Sequence, residues 1–99
     1  MQQVAESLSE NKTLLSLNIA SNDIDHIIGN HFVQHTAVNK TLICFEFGMN
    51  EFLHQQIIDI QKNISRNKAA YDAERLKEWK ERKRMAEEEE LMRVKNTQD

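Results

Sequence analysis

The residues with the greatest chemical potential are four histidines and one cysteine. His31 and His35 stand four positions apart, a spacing that places two imidazoles on one face of a helix, where they could bind a zinc ion. Phe32, Val33 and Gln34 lie between them, so the glutamate of the H-E-x-x-H motif is absent, and no cysteine or carboxylate stands at a matching spacing. The sequence therefore predicts exposed helix positions for this pair and no metal site.

Cys44 cannot form an internal disulfide, because it is the one cysteine of the chain, and this favours a reducing, cytoplasmic compartment. A catalytic thiol needs a base within reach. Cys44 lies in the segment 39–52, which resembles the segment 11–24, where Ser16 occupies the equivalent position, and neither segment contains a histidine. Glycine occurs at Gly29 and Gly48 alone, so there is no glycine-rich phosphate loop. We predict no catalytic residue, no cofactor and no small-molecule substrate, and hence a protein that is not an enzyme.

Charge is unevenly distributed along the chain. The formal net charge of −3 provides no basic field that would attract nucleic acid. The segment 67–99 is neutral overall but densely charged, with nine basic and nine acidic residues.

No apolar run approaches the length that a bilayer requires, and the first residues lack the pattern of a signal peptide. The sequence predicts a cytoplasmic protein without a membrane or nucleic-acid partner.

A repeat with a period of 28 residues organises the first two thirds of the chain. The segment 11–24, NKTLLSLNIASNDI, returns at 39–52 as NKTLICFEFGMNEF. Alternating apolar residues in each copy predict a short strand with one buried face. The matched columns are Leu14 and Leu42, Leu17 and Phe45, Ile19 and Phe47, Asn22 and Asn50, and Ile24 and Phe52.

Helical periodicity follows each predicted strand. The segments 26–38 and 53–64 carry apolar residues at the i, i+3, i+4 spacing of a one-sided helix. Two further columns continue the repeat: Val4, Phe32 and Ile60, and Leu8, Thr36 and Ile64. Each unit is therefore predicted as strand, turn and helix, and neighbouring units are expected to stack their strands in parallel with the helices outside.

The pattern L-x-x-L-x-L-x-x-N-x-I resembles the long, ribonuclease-inhibitor type of leucine-rich repeat, as also found in the C-terminal domain of the tropomodulins. The resemblance covers residues 3–68 and implies an α/β leucine-rich-repeat solenoid of two strand-turn-helix repeats. Asn22 and Asn50 follow the predicted strands, where an amide that both donates and accepts can satisfy the turning backbone. Both are expected to be structural residues.

The repeat is interrupted at Asn67, although a third NK pair stands there. A third unit would place apolar residues where Ala70, Ala73 and Arg75 occur, and 68–95 contains neither glycine nor proline. Helix-favouring residues dominate this segment, which predicts a rod of about 40 Å. The expected divisions are 1–66 as leucine-rich repeats at the C-terminal end of an array, 67–95 as a capping and projecting charged helix, and 96–99 as a disordered tail.

Two surfaces are candidates for binding a partner. On the expected concave face lie Ser16, Asn18, Ala20, Cys44, Glu46 and Gly48, and on the helix lie Trp79, Lys80, Arg82, Lys83 and Arg84. Trp79 is open to two interpretations, a cap contact against the last repeat or an anchor for a partner, since tryptophan is enriched at binding hot spots. The basic stretch 77–84 suggests an acidic partner such as tubulin, or else a solvated face, because acidic residues interleave with it and follow it.

A short repeat stack joined to a charged helix resembles the leucine-rich-repeat subunits of ciliary and flagellar axonemes. This implies a non-enzymatic, microtubule-associated scaffold of the cytoplasm or cilium that binds other subunits of an assembly. A tropomodulin-like actin-filament regulator and a regulatory domain of a larger enzyme or signalling receptor remain open. Two repeats bury little surface, so we expect stacking on further repeats upstream or in another chain. No heptad is sustained in the helix, which leaves a coiled coil undecided.

Overall fold

The computed structural model describes residues 1–97 and shows helices and strands in alternation. The elements are α1 (Gln2–Ser7), β1 (Ser16–Asn18), α2 (His26–Val38), β2 (Cys44–Glu46) and α3 (His54–Thr97). The two strands form one parallel sheet, α1 packs on α2, and α2 packs on α3. The mixture of helix and strand, the parallel pairing and the long C-terminal helix, all expected from the sequence, are confirmed.

The sheet pairs positions that lie 28 residues apart in the sequence. The opposed residues are Ser16 and Cys44, Leu17 and Phe45, and Asn18 and Glu46. Only the middle residue of each strand is turned toward the core. Ile19 and Phe47, expected within the strands, lie one position beyond them and are nevertheless buried. Ala20 and Gly48, expected on the concave strand face, therefore belong to the turns that follow.

The buried core runs between the sheet and the helices. Its members are Ala5, Leu8, Ile19, Ile24, Phe32, Leu42, Phe47 and Ile60. Val4 stands in the same repeat column as Phe32 and Ile60, but it is 37% exposed, whereas the other two are fully buried. The face of α1 that packs on α2 is instead formed by Ala5 and Leu8, three residues apart on the same side of the helix.

Phenylalanine replaces the aliphatic residues of the second unit because the four rings pack on one another. The ring centroids of Phe45 and Phe47 lie 5.0 Å apart and those of Phe32 and Phe45 lie 5.5 Å apart, both pairs edge to face. Phe52 completes the cluster at 5.8 Å from Phe47. Such arrangements are favoured by the ring quadrupoles in addition to the apolar area that they bury.

Local capping explains where α2 begins and ends. The Asp25 side chain accepts a hydrogen bond from the Ile28 N–H at 3.0 Å, which satisfies one of the free donors of the first turn. At the other end, Asn39 adopts an extended backbone and turns the chain toward β2. The bounds of α2 are those predicted from the apolar periodicity of 26–38.

The helical segment expected over 53–64 and the charged helix expected over 67–95 form one uninterrupted helix, α3. The resemblance of Asn67 to the earlier NK pairs suggested a turn. This was wrong, because Asn67 lies inside a helix. Residues 96 and 97 of the expected disordered tail belong to α3, and 98 and 99 lie outside the described residues. A helix of this length spans about 66 Å and accounts for the overall dimensions of 72 × 23 × 20 Å.

Candidate interaction surfaces

Asn50 joins the two repeat units through its side-chain amide. Its Oδ1 accepts hydrogen bonds from the N–H groups of Asn22 and Ile24, both at 3.0 Å. Its Nδ2 donates to the carbonyls of Ile19 and Phe47, both at 2.9 Å. Asn22, at the same position of the first unit, donates to the Ile19 carbonyl of its own unit at 2.8 Å. The amide of Asn50 therefore satisfies backbone groups of both units.

A second series of asparagines, in the NK pairs that the sequence suggested as turns, stands at the opposite ends of the strands. Asn39 is buried and donates to the carbonyls of Leu8 and Asn11 at 2.8 and 3.1 Å. Asn67 is 2% exposed and donates to the carbonyls of Asn39 and Leu42 at 3.0 and 2.9 Å. The 28-residue spacing of the three NK pairs was the signal for this series, and Asn67 keeps the bonding role although its backbone is helical.

Arg66 anchors α3 to the end of α2. Its guanidinium donates to the carbonyls of Thr36, Ala37 and Asn39 at 3.2, 3.1 and 2.8 Å and to the Asn67 Oδ1. The last carbonyls of a helix lack donors within that helix and carry partial negative charge, so a cation stabilises them. Nothing in the residue pattern distinguished Arg66 from the other basic residues of the chain.

Gln56 fixes the start of α3 against α2. Its Oε1 accepts from the Leu53 N–H at 2.9 Å, and its Nε2 donates to the His26 carbonyl and the Asn30 Oδ1 at 2.7 and 2.8 Å. A Cβ built on Gly29 would lie 2.6 Å from the Gln56 Oε1. Glycine at this helical position lets the two helices approach closely.

The strand face that was expected to be concave carries small and polar side chains. Ser16, Asn18, Cys44 and Glu46 are exposed on the paired strands, whereas Ala20 and Gly48 flank them in the turns, the first half-buried and the second exposed. The Asn18 Oδ1 accepts from the N–H of the second following residue at 3.0 Å. The structure thus places four of the six predicted residues on one exposed face of the strand pair.

A groove with a mixed polar and apolar lining opens beside the second unit. Phe45, Phe47, Gln61, Ile64 and Ser65 line it, with a volume of about 370 Å³. The two repeat units and the part of α3 that packs on them, residues 1–71, are called the stack below. The sequence suggested that the first turns of the charged helix would cover this end of the stack. Leu76 and Trp79 are instead 52% and 56% exposed, because α3 continues straight past the strands.

The part of α3 beyond the stack is a solvated rod, since every described side chain from 72 to 93 is exposed. The Lys83 Nζ lies over the Trp79 ring at 5.2 Å, and Arg82 contacts Glu78 at 4.0 Å. Trp79 makes its cation–π contact within the rod and not with the strand units. Of the five residues predicted on this helix, Lys80 and Arg84 lie on the side opposite Arg82, whereas Trp79 and Lys83 lie next to each other on one flank, between these two sides.

A tyrosine–arginine pair marks the boundary between stack and rod. Arg75 donates to the Tyr71 hydroxyl at 3.0 Å, and its guanidinium lies 5.5 Å from the ring centroid. The hydrogen bond to Tyr71 raises the pKa of the Arg75 guanidinium above its ordinary value. Arg75 is therefore charged throughout the physiological pH range.

The two histidines with potential metal-binding spacing are half-buried and stack on each other. The ring centroids of His31 and His35 lie 6.3 Å apart with nearly parallel planes. Within residues 1–97, no three histidine, cysteine or carboxylate side chains come together as a group that could hold a metal ion. In the same part of the chain, no helix is both long and apolar enough to cross a membrane.

Of the protein families and curated proteins compared with this chain, none matches it.

Proposed function

We propose that the chain is a non-enzymatic scaffold whose two units belong to a leucine-rich-repeat solenoid of the ribonuclease-inhibitor type. Its partners are other subunits of a cytoskeletal assembly such as the ciliary axoneme, bound through the repeat surface and the C-terminal helix. The observation that carries the proposal is the exposed rod, 72–93, which continues the last helix of the packed units without a break. Solvated helices of this kind connect domains or pair with elements of a larger structure.

The joint between the stack and the rod supports a role in positioning. Arg66 and Asn67 tie α3 to the end of α2 by hydrogen bonds to backbone carbonyls. A partner bound to the rod is therefore held at a defined orientation to the repeat surface. This property suits a structural subunit, because its task is to keep two binding surfaces at a fixed distance.

The outer face of the rod supports an acidic partner. Lys77, Lys80 and Arg84 are spaced three and four residues apart, so they lie on one side of the helix, away from the side that carries Arg82. All three are exposed. A microtubule presents an acidic surface, and attraction between opposite charges would steer the rod toward it.

Stacking on further repeats, upstream or in another chain, also belongs to the proposal. Asn50 accepts two N–H groups of the preceding unit, and Asn22 occupies the equivalent position of the first unit and is exposed. A preceding unit would use Asn22 in the same way. The exposed strand residues Ser16 and Asn18 would then form part of a longer concave surface.

Co-sedimentation tests the cytoskeletal assignment. The full chain and a chain ending at Glu74, which keeps Asn67 and Tyr71, are mixed with microtubules and, separately, with actin filaments. We expect the full chain to pellet with microtubules and the shortened chain to remain in solution. Binding to actin in place of microtubules would favour the tropomodulin-like alternative. Indifference to both polymers would contradict the cytoskeletal proposal and favour a regulatory domain of a larger protein.

A charge-matched pair of variants localises the binding surface. Reversing Lys80 and Arg84 to glutamate should weaken microtubule binding about tenfold or more, because two attractions become repulsions. Reversing Lys12 and Lys62, which are exposed on the stack, makes the same change in net charge. Equal losses from both pairs would show that net charge alone governs binding, and the rod would then have no specific role.

A further inference from the structure

The side of α3 that packs on the stack continues beyond it as an exposed stripe. Within the stack, Ile60, Ile64, Asn67 and Tyr71 follow one another at intervals of three or four residues on this side. The same spacing extends along the rod. The residues that continue the stripe are Arg75, Glu78, Trp79, Arg82, Met85, Ala86, Glu89, Met92 and Arg93.

From Glu78 to Arg93, the charges of the stripe reverse about its centre. Glu78 and Arg82 precede the apolar pair Met85 and Ala86, and two further charged residues follow the pair in the same order, acid then base. When a second helix is turned end for end about this midpoint, each acid of one helix faces a base of the other. Glu78 then meets Arg93 of the second helix, and Arg82 meets its Glu89.

We propose that the stripe binds a second copy of this chain, with the two rods antiparallel and crossing between Met85 and Ala86. Every ion pair joins an acid of one copy to a base of the other. Because the arrangement is symmetric, the interface contains two Glu78–Arg93 pairs and two Arg82–Glu89 pairs. A parallel, in-register pair would place Arg82 beside Arg82 and Glu89 beside Glu89. Like charges opposed across two helices destabilise the pair, so the sequence of charges selects the antiparallel arrangement.

Apolar side chains of the stripe surround these ion pairs. Met85 is 56% exposed and, with Ala86, would pack against the same two residues of the second copy. Trp79 and Met92, 56% and 67% exposed, stand at the two margins of the stripe. Large apolar side chains at the margin of an interface exclude water, and exclusion of water strengthens the ion pairs inside it.

The length of α3 fits this arrangement. With the crossing point between Met85 and Ala86, the end of the second helix at Thr97 lies level with Glu74 of the first. The stack extends along α3 only to the level of Asn67 and Tyr71, whose side chains are the last to be buried or half-buried. The two rods therefore overlap from Glu74 onward, which is nearly all of the exposed segment, and the stacks lie outside the overlap at opposite ends.

The dimer leaves the outer basic face accessible. Lys77, Lys80 and Arg84 lie on the side of the rod opposite the stripe, so they remain exposed in the pair. The inference does not rest on the proposed function, because self-association is measured with the purified chain alone.

Sedimentation equilibrium of the full chain tests the pairing. We expect a reversible monomer–dimer equilibrium at micromolar concentration that weakens as salt is added, since ion pairs dominate the contact. Arg82→Glu should raise the dissociation constant at least about tenfold, because two pairs become repulsive. Adding Glu89→Arg to that variant should restore dimerisation, since both pairs re-form with reversed signs. Lys80→Glu, on the opposite face, makes the same charge change as Arg82→Glu and should leave the equilibrium unchanged.

Circular dichroism of each variant checks that the rod remains helical. A chain that stays monomeric up to hundreds of micromolar at low salt would overturn the inference. A double variant that fails to recover dimerisation would also overturn it, because the pairing of Arg82 with Glu89 would then be absent.

Disulfide cross-linking tests the orientation. In a Cys44→Ser background, Met85→Cys places two thiols near the crossing point, and we expect an oxidised, covalently linked dimer. Met92→Cys in the same background should stay unlinked, because the two thiols of an antiparallel pair would lie about 20 Å apart along the axis. Efficient linkage through Met92→Cys would indicate parallel helices and contradict the proposed arrangement.

Discussion

Asparagine amides make the polar connections between the repeat units, because one amide both donates and accepts hydrogen bonds. Asn50 bonds backbone groups of both units, Asn39 does the same at the other end of the strands, and Asn67 bonds two carbonyls of the second unit. A short strand pair leaves many backbone groups at the turns without partners, and each would be costly if it were buried unpaired. These side chains replace the hydrogen bonds that a longer sheet would supply.

The two equivalent asparagines should differ in their contribution to stability. Asn50→Ala removes hydrogen bonds to Ile24 and Ile19 of the neighbouring unit, and we expect a loss of about 1–3 kcal/mol in the free energy of unfolding. Asn22→Ala removes bonds within its own, exposed turn and should cost less than about 1 kcal/mol. Urea unfolding followed by circular dichroism measures both. Equal losses would contradict the bridging role of Asn50.

At the scale of elements, the close approach of α2 and α3 depends on a glycine and a glutamine. Gly29 leaves no room for a Cβ because the buried side chain of Gln56 lies against it. Gln56 cannot move away without losing its bonds to Leu53, His26 and Asn30. The packing of the helices and the capping of α3 are therefore coupled.

Gly29→Ala should lower the free energy of unfolding by about 1–2 kcal/mol. Overpacking costs about 1–3 kcal/mol, and the better helix propensity of alanine recovers up to about 1 kcal/mol of this. Gly48→Ala is the matched control, because a Cβ there meets no atom within 4 Å; it should change stability by less than about 0.5 kcal/mol. Thermal unfolding of the two variants provides the comparison, and a stabilised Gly29→Ala would show that the helices tolerate separation.

The elements were predictable where local signals agreed. The bounds of α2 followed from its apolar periodicity and from Asp25, which caps its first turn. The continuity of α3 was not predictable in this way, because the NK pair at Asn67 marks a turn in two earlier places. The helix-favouring residues after Asn67, together with Arg66, prevail over that signal. An asparagine side chain can form these hydrogen bonds from a turn, as Asn39 does, or from a helix, as Asn67 does. The residue type alone therefore could not show whether the chain turns at position 67.

At the scale of the whole molecule, the rod contributes little to the stability of the stack. Its side chains from 72 to 93 are exposed, whereas Arg66 and Asn67 bond the end of α2. A chain ending at Glu74 should unfold within a few degrees of the full chain. A chain ending at Ser65 lacks the hydrogen bonds of Arg66 and Asn67 and should lose about 2 kcal/mol in the free energy of unfolding. For a domain of this size each kcal/mol lowers the unfolding midpoint by about 4–8 °C, so we expect a midpoint roughly 10 °C lower. Similar midpoints for the two shortened chains, measured by calorimetry, would contradict the anchoring role of the pair.

The positions of the candidate binding residues were predictable on the strands but not on the helix. The strand pattern placed Ser16, Asn18, Cys44 and Glu46 on one face, as the pairing of the strands shows. The position of Trp79 depends on the direction in which α3 leaves the stack, and that direction is set by contacts of Asn67 and Arg66 with distant backbone groups. Such contacts leave no periodic trace in the sequence.

The uninterrupted passage of α3 through Asn67 also has a mechanical consequence. Because the rod and the last packed helix are one element, α3 has no break between His54 and Thr97 at which a load on the rod could be absorbed. A pull or a sideways thrust at the far end acts on a lever of roughly 45 Å, and the torque falls on the hydrogen bonds of Arg66 and Asn67. Under force, these hydrogen bonds should break first, and α3 would then separate from the C-terminal end of α2.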